Sequence, residues 1–207
     1  MTMTTPTAAK FAEAYHEQFQ QQLMEWLRIP SISTDPKYKP HVQAAANWLA
    51  EHMRAIGLEN IAIMPTAGHP VVYADWLHAG PDAPTVLVYG HYDVQPAIIE
   101  DGWTNEPFEP HIENGRLIAR GATDDKGQVM IQLKAAESLL KTAECPVNLK
   151  YIIEGEEEIG SPHLSAFVQQ HRDLLKADYC MISDTTINAE DQPSLVVFSG
   201  AGLSADS

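Results

Sequence analysis

Four short polar clusters contain most of the residues in this chain that could do chemistry, and each one follows a short apolar run. The clusters are residues 89–93 (YGHYD), 121–127 (GATDDKG), 154–158 (EGEEE) and 183–184 (SD). Carboxylates crowded into one cleft repel one another unless a positive charge lies between them. One imidazole with several carboxylates is a ligand set that suits a divalent ion such as Zn²⁺, Mn²⁺ or Co²⁺.

Two spacings inside these clusters have a chemical meaning of their own. A metal-bound histidine usually donates its second ring N–H to an acceptor, and Asp93 follows His91 by two residues. The neighbouring Glu157 and Glu158 offer two roles. One carboxylate can bind a metal while the other stays free as a general base for water.

The elements that must position the clusters alternate between helices and strands. Apolar residues at helical spacing predict helices over residues 11–27, 42–56, 126–140 and 162–175. Short apolar runs predict strands at 61–64, 71–76, 85–89, 115–119, 147–153, 179–182 and 195–198. This order predicts an α/β fold with a mixed, mostly parallel sheet and helices on both faces. In such a sheet ligands bind beyond the carboxyl ends of the strands, which is where we expect all four clusters.

Each cluster alone also has an ordinary structural interpretation. Asp124 and Asp125 are typical helix-capping residues, and Asp184 is a typical turn residue. His91 could be a hydrogen-bonded core histidine, and the glutamates could begin a solvated helix. The coincidence of the four clusters at one edge of one sheet favours a functional site instead.

Composition narrows the class of protein further. The 207 residues suffice for one domain, or for one domain and the start of another. A net charge of −15 disfavours binding to nucleic acid or to anionic membranes. Two cysteines exclude a disulfide framework and a cysteine-based zinc site. With no evident signal peptide or membrane-spanning run, we expect a cytoplasmic protein.

Three ordered motifs make the sequence resemble the co-catalytic dizinc metallopeptidases. They are residues 90–96 (GHYDVQP), 120–127 (RGATDDKG) and 154–161 (EGEEEIGS). That family includes carnosinase-like dipeptidases, aminoacylase, carboxypeptidases of the G type and succinyl-diaminopimelate desuccinylase. The Gln-Pro ending of the first motif, with residues 101–103 (DGW) and 106–108 (EPF), is most similar to the dipeptidase branch.

The resemblance implies two divalent ions, Zn²⁺ first and Mn²⁺ or Co²⁺ as alternatives. It implies that the metal ligands are His91, Asp124, Glu158 and Asp184. In this scheme Asp124 bridges both ions, Asp184 completes the set of the His91 ion, and Glu158 binds the other ion. The family pattern also implies a cis peptide bond after Asp124.

The same resemblance assigns two catalytic residues and a reaction. Glu157 is expected to be the general base, and Asp93 is expected to orient His91. The implied activity is hydrolysis of the amide bond of a dipeptide by a dimetal-activated water, in a protein that is a homodimer when full length. The alternatives are an N-acyl amino acid deacylase of the same family and a non-catalytic metal-binding remnant.

The last residues of the chain support two further expectations. Residues 1–193 are expected to form the N-terminal part of the catalytic domain, and 194–207 the start of a lid or dimerisation domain. The chain is therefore expected to be an N-terminal fragment that is weakly active or inactive alone, because the second metal-binding histidine of the family lies further downstream. Residues 200–205 (GAGLSA) match a dinucleotide fingerprint, but no helix or distant acidic residue follows them, which disfavours that interpretation.

Overall fold

A computed structural model of the chain describes residues 6–185, and its centre is a five-stranded sheet. The sheet strands are β1 (Glu59–Met64), β2 (Val71–Trp76), β3 (Thr85–His91), β6 (Asn148–Glu154) and β7 (Tyr179–Ile182). A separate hairpin contains β4 (His111–Glu113) and β5 (Arg116–Ile118). The helices are α1 (Ala8–Ala14), α2 (His16–Leu27), α3 (Lys39–Ile56), α4 (Lys126–Lys141) and α5 (Leu164–Gln170).

The strand order is β1-β2-β6-β3-β7, and the sheet is mixed as predicted. The central strand β3 runs parallel to both of its neighbours, β6 and β7. Strand β2 is antiparallel to both β1 and β6. The three parallel strands therefore direct their carboxyl ends to the same edge of the sheet.

Helices cover both faces of the sheet, which confirms the α/β class. On one face α3 and α4 pack their apolar stripes, including Leu49 and Leu133, against strand residues such as Val88 and Ile153. The predicted stop of α3 is also present, because Gly57 adopts the left-handed conformation (φ 105°) that favours glycine. On the opposite face Phe167 of α5 joins a smaller apolar cluster.

Three predicted elements differ from the structure. The predicted helix over 162–175 is shorter and spans only Leu164–Gln170. The predicted helix over 11–27 is divided at Tyr15, whose backbone leaves the helical region (φ −109°, ψ 9°), although its ring still stacks on Phe11 at 4.4 Å. The predicted strand at 115–119 belongs to the separate hairpin and not to the main sheet. Asn114 (φ 52°) and Gly115 (φ 77°) make a tight hairpin turn that returns the chain onto β4.

The predicted strand at 195–198, the fingerprint at 200–205 and the predicted lid segment 194–207 lie outside the described residues. Within residues 6–185, no helix is long and apolar enough to cross a membrane.

Candidate metal centre

The parallel strands bring three of the polar clusters together. His91 is the last residue of β3 and pairs in register with Glu154, the last residue of β6. Asp184 follows the end of β7 by two residues. The remaining cluster, residues 121–127, is positioned by a helix. Asp124 and Asp125 immediately precede α4, which packs on β3.

The imidazole of His91 is fully buried and faces a carboxylate on each side. Its Nδ1 lies 3.0 Å from the backbone carbonyl oxygen of Asp93 and 3.4 Å from Oδ1 of the same residue. Nδ1 therefore donates to Asp93, and Nε2 faces the opposite side, where Oδ1 of Asp124 lies 3.1 Å away. The backbone oxygen of Asp93 is the nearer acceptor, and the orienting role of its carboxylate stays a prediction.

Three carboxylates surround Nε2 of His91. Oδ1 of Asp124 lies at 3.1 Å, Oδ2 of Asp184 at 3.5 Å and Oε2 of Glu157 at 3.8 Å. The structure thus brings together His91, two of the other predicted ligands and the predicted general base.

The charge of these carboxylates dominates the electrostatics at His91. Burial lowers the pKa of the imidazole, but the hydrogen bond and charge of Asp93, with the charges of Asp125 and Asp184, outweigh burial and raise the pKa to about 10. The carboxylates therefore stabilise a positive charge at His91, and a bound cation would supply such a charge.

Asp125, which the sequence analysis left out of the site, is part of the buried cluster. One ligand atom from each of His91, Asp125 and Asp184 lies within 4.8 Å of the other two. Oδ2 of Asp125 accepts a hydrogen bond from the backbone N–H of His91 at 3.1 Å. Oδ1 is buried and has no hydrogen-bond partner among the described residues. Burial raises the pKa of this carboxyl to about 7.

The Asp124–Asp125 pair thus presents two carboxylates to one histidine. The peptide bond that joins them is cis, as the resemblance implied. The side chain of Asp124 is 49% exposed and lies on the open side of the cluster, whereas Asp125 is buried beneath it. Asp124 therefore remains our prediction for the ligand shared between two ions, since it alone of the pair is accessible from solvent.

Asp93 connects His91 with the segment that carries the two glutamates. Its carboxylate is fully buried. Oδ1 accepts the backbone N–H of Glu157 at 3.2 Å, and Oδ2 accepts the backbone N–H of Glu158 at 3.1 Å. Oδ2 also accepts the hydroxyl of Ser33 at 2.6 Å. Sequence reasoning missed Ser33, because a serine in a loop carries no distinctive signal.

The carboxylate of Glu158 is held by Gln95. Glu158 lies in a single 3₁₀ turn, Glu157–Ile159, that ends at Gly160 (φ 85°). Its Oε1 accepts the backbone N–H of Gln95 at 3.2 Å, and its Oε2 accepts the Gln95 side-chain amide at 2.7 Å. Burial raises the pKa of both Glu157 and Glu158. Gln95 is a second residue that sequence reasoning did not assign to the site.

The residues present fit a divalent metal ion. The donor set is one imidazole nitrogen and several carboxylate oxygens, which is the chemistry that Zn²⁺ and Mn²⁺ accept in proteins. The unpartnered buried oxygen of Asp125 also favours a bound ion, because buried carboxylate oxygens ordinarily have a partner. His91, Asp125 and Asp184 are close enough to hold one ion, and Oδ1 of Asp124 lies 3.1 Å from Nε2 of the same histidine.

The fold and this centre together define a class of protein: an α/β domain with a candidate metal centre beyond the carboxyl ends of its strands. The chain belongs to a family described as Peptidase family M20/M25/M40, whose model matches residues 87–198. Members of this family are metal-dependent.

Curated relatives and solved structures agree with this assignment. The chain is 36% identical to the Cys-Gly metallodipeptidase DUG1 of Candida albicans, with 83% of this chain and 39% of that protein covered. It is 34% identical to the Beta-Ala-His dipeptidase of Mus musculus, with 89% and 40% covered. The chain therefore spans about 40% of the length of these relatives.

Two solved structures have the same fold. The dipeptidase Dug1p of Saccharomyces cerevisiae superposes with a TM-score of 0.81 at 29% identity, covering 89% of this chain and 42% of that one. Human carnosine dipeptidase 1 superposes with a TM-score of 0.80 at 32% identity, covering 86% and 40%. These likenesses confirm the family resemblance and the α/β fold class.

Proposed function

We propose that this chain carries part of the active site of a metal-dependent hydrolase that cleaves the amide bond of dipeptides. The observation that carries the proposal is the position of Glu157. Its carboxylate lies 3.8 Å from Nε2 of His91, at the cluster that fits a metal, while its backbone N–H is held by Asp93. A general base must be close to the reacting water and free of other strong partners.

The comparisons support the substrate class. Relatives with more than 30% identity carry the names Cys-Gly metallodipeptidase and Beta-Ala-His dipeptidase. Both names describe the cleavage of a bond between two residues. A dipeptide is therefore the proposed substrate, and an N-acyl amino acid is the alternative, since it presents the same kind of amide bond.

The proposed ligands of the first ion are His91, Asp124 and Asp184, and those of the second are Asp124 and Glu158. Divalent ions bound there, Zn²⁺ first among the candidates, supply Lewis-acid chemistry that polarises a carbonyl and acidifies water. His91 is held for this role by the donation from its Nδ1 to Asp93.

Glu157 does the proton chemistry in this proposal. Its side chain is 37% exposed, so both water and a substrate can reach it. The carboxylate takes a proton from the attacking water and then delivers that proton to the nitrogen of the leaving amine. The amide bond breaks as the new carbon–oxygen bond forms, and no covalent intermediate with the protein is required.

Replacing Glu157 by Gln tests this proposal. In the longest natural form of the protein, we expect hydrolysis of Cys-Gly or β-Ala-His to fall by about 10²–10⁴-fold in E157Q, because the variant cannot accept the proton. Metal content, measured by mass spectrometry of the purified protein, should stay unchanged. The matched control is E100Q at an exposed site, which should retain activity.

Three outcomes would redirect the assignment. Equal turnover by E157Q and the unmodified protein would contradict a general-base role for Glu157. Hydrolysis of N-acetyl amino acids in preference to dipeptides would favour the deacylase. Metal binding without turnover of either substrate class, in the longest natural form of the protein, would favour a non-catalytic metal-binding role.

Organisation beyond the centre is also proposed. We propose that residues 1–193 form the N-terminal part of a catalytic domain and that 194–207 begin a lid, a division supported by the span of about 40% of the relatives. A homodimer of the longer protein is proposed on the family resemblance, and sedimentation of that protein tests it. A reducing, cytoplasmic location is proposed because Cys145 and Cys180 are both free thiols.

A further inference from the structure

A loop from the N-terminal part of the chain runs alongside the residues that follow β3. Ile32 and Val94 form an isolated parallel bridge, and the backbone N–H of Val94 donates to the carbonyl oxygen of Ser31 at 3.1 Å. This pairing fixes the register of the loop against residues 92–94. It places the hydroxyls of Ser31 and Ser33 beside two successive residues that follow the strand, Tyr92 and Asp93.

The two serines make chemically similar bonds to different acceptors. The hydroxyl of Ser31 donates to the backbone carbonyl oxygen of Tyr92 at 2.6 Å. The hydroxyl of Ser33 donates to Oδ2 of the Asp93 carboxylate, also at 2.6 Å. A bond to a carboxylate is the stronger type, and 2.6 Å is the length expected of it. Both serines are buried.

Each oxygen of the Asp93 carboxylate has its own donors. Oδ1 accepts the Glu157 N–H and lies 3.4 Å from Nδ1 of His91. Oδ2 accepts both the Glu158 N–H and the Ser33 hydroxyl. Ser33 is the one side-chain hydroxyl among these donors. Rotation of the carboxylate would loosen the histidine and the glutamate turn together.

We propose that Ser33 is a positioning residue for the candidate metal centre. It acts through Asp93, and it fixes the Glu157–Glu158 turn relative to the ring of His91. This inference rests on the proposed function, because positioning the centre matters only if the centre is the active site. The contact chain from Ser33 through Asp93 to the two backbone amides is a property of the fold and is measurable without any activity.

The test compares Ser33→Ala with Ser31→Ala in the same chain. Each variant removes one buried hydroxyl from the same loop, but only the first removes a donor to Asp93. Residue-resolved hydrogen exchange by NMR reports the Glu157 and Glu158 amides directly. We expect exchange of these two amides to be about tenfold faster in S33A and unchanged in S31A, since a bond to a charged group is worth roughly this factor.

A second readout uses Co²⁺ as the probe metal. The visible absorption of Co²⁺ follows both its affinity and its ligand geometry. We expect S33A to bind Co²⁺ about tenfold more weakly and with an altered spectrum, as is typical when an outer partner of a metal ligand is removed. S31A should match the unmodified chain in both respects.

The outcomes separate this inference from the proposed function. Equal effects of S33A and S31A on the two amides overturn the positioning role, whatever happens to metal binding. Faster amide exchange in S33A alone supports that role even if no Co²⁺ binds, in which case metal binding by this chain is contradicted and this inference stands. If S33A does not fold, Ser33→Thr keeps the hydroxyl and should retain slow exchange. Faster exchange in a folded S33T variant overturns the proposal.

Discussion

The two halves of the candidate centre are built differently. On one side, His91, Asp93 and Asp125 are buried, and their polar atoms are engaged mainly with the backbone and with one another. On the other side, the side chains of Asp124 and Glu157 are 49% and 37% exposed. The carboxylate of Glu158 on this side accepts its hydrogen bonds from Gln95.

This difference indicates which half is part of the fold and which half is available to a ligand. A buried carboxylate with several donors is costly to disturb, because each donor that loses its acceptor stays buried and unpaired. An exposed carboxylate loses little when its partner is removed, because water replaces the partner. The buried half therefore sets the geometry, and the open half is the part that a ligand can reach from solvent.

The strongest way to break this contrast is to remove the Asp93 carboxylate. Asp93→Ala leaves the Ser33 hydroxyl and the amides of Glu157 and Glu158 without their acceptor. We expect the free energy of unfolding to fall by about 3–5 kcal/mol. Urea denaturation measures it. D82A, at an exposed site, is the control and should change stability by less than about 0.5 kcal/mol. A D93A loss below that level would contradict a structural role for the buried half.

A pH series measures how much the buried histidine His52, which lies in the core and outside the centre, contributes to the pH dependence of stability. Burial, with the charge of Lys134, lowers the pKa of His52 to about 3. The unfolded chain takes up this proton near pH 6.5 and the folded protein only near pH 3, so stability should fall as the pH decreases between these values. The loss is up to about 4 kcal/mol. Denaturation of H52Q over the same range should lack this slope, and an identical slope would show that other groups cause it.

A smaller loss of stability is expected from adding one methyl group at Gly90, next to Asp125. A Cβ at Gly90 would lie 2.5 Å from Oδ2 of Asp125 and 2.6 Å from a methyl carbon of Val129. Because both neighbours are held in the packed interface with α4, we expect G90A to lose about 1–3 kcal/mol of stability. Thermal unfolding measures it, and calorimetric titration with Zn²⁺ should show weaker binding. Unchanged stability would mean that α4 can move away at little cost.

The smallest expected change in stability lies on the open side. Gln95→Ala removes the side-chain amide from Glu158 but leaves the backbone N–H of residue 95 in place. We expect a loss of less than about 1 kcal/mol, because water can reach this carboxylate. The effect should appear mainly in the stoichiometry of bound Zn²⁺, if Glu158 serves the second ion. A loss as large as that of D93A would erase the contrast between the two halves.

The sequence predicted the elements whose apolar period is long and regular. Helix α3, with Gly57 after it, and strands β2 and β7 appear where the pattern placed them. The pattern did not show that residues 115–119 leave the main sheet, because pairing partners depend on a turn and not on the strand itself. It also did not reveal the helix break at Tyr15, for which the aromatic spacing gives no signal.

Within the site, sequence predicts residue types and misses hydrogen-bond partners. His91, Asp124, Asp184 and Glu157 were predicted and come together. The contributions of Ser33, Gln95 and Asp125 depend on contacts between segments far apart in the chain. A lone serine, a lone glutamine or the second member of an acidic pair has no spacing that reveals such a contact.

The outer strand β7 has a practical consequence for every measurement above. Among the described residues it is bonded to β3 on one side only, and it exposes 65% of Tyr179 and 57% of Ile182. An open strand edge beside exposed apolar side chains is a template on which another chain can add a strand. Purified samples should therefore self-associate as protein concentration rises. Spectra and binding curves collected over a dilution series will distinguish the behaviour of one molecule from that of an assembly.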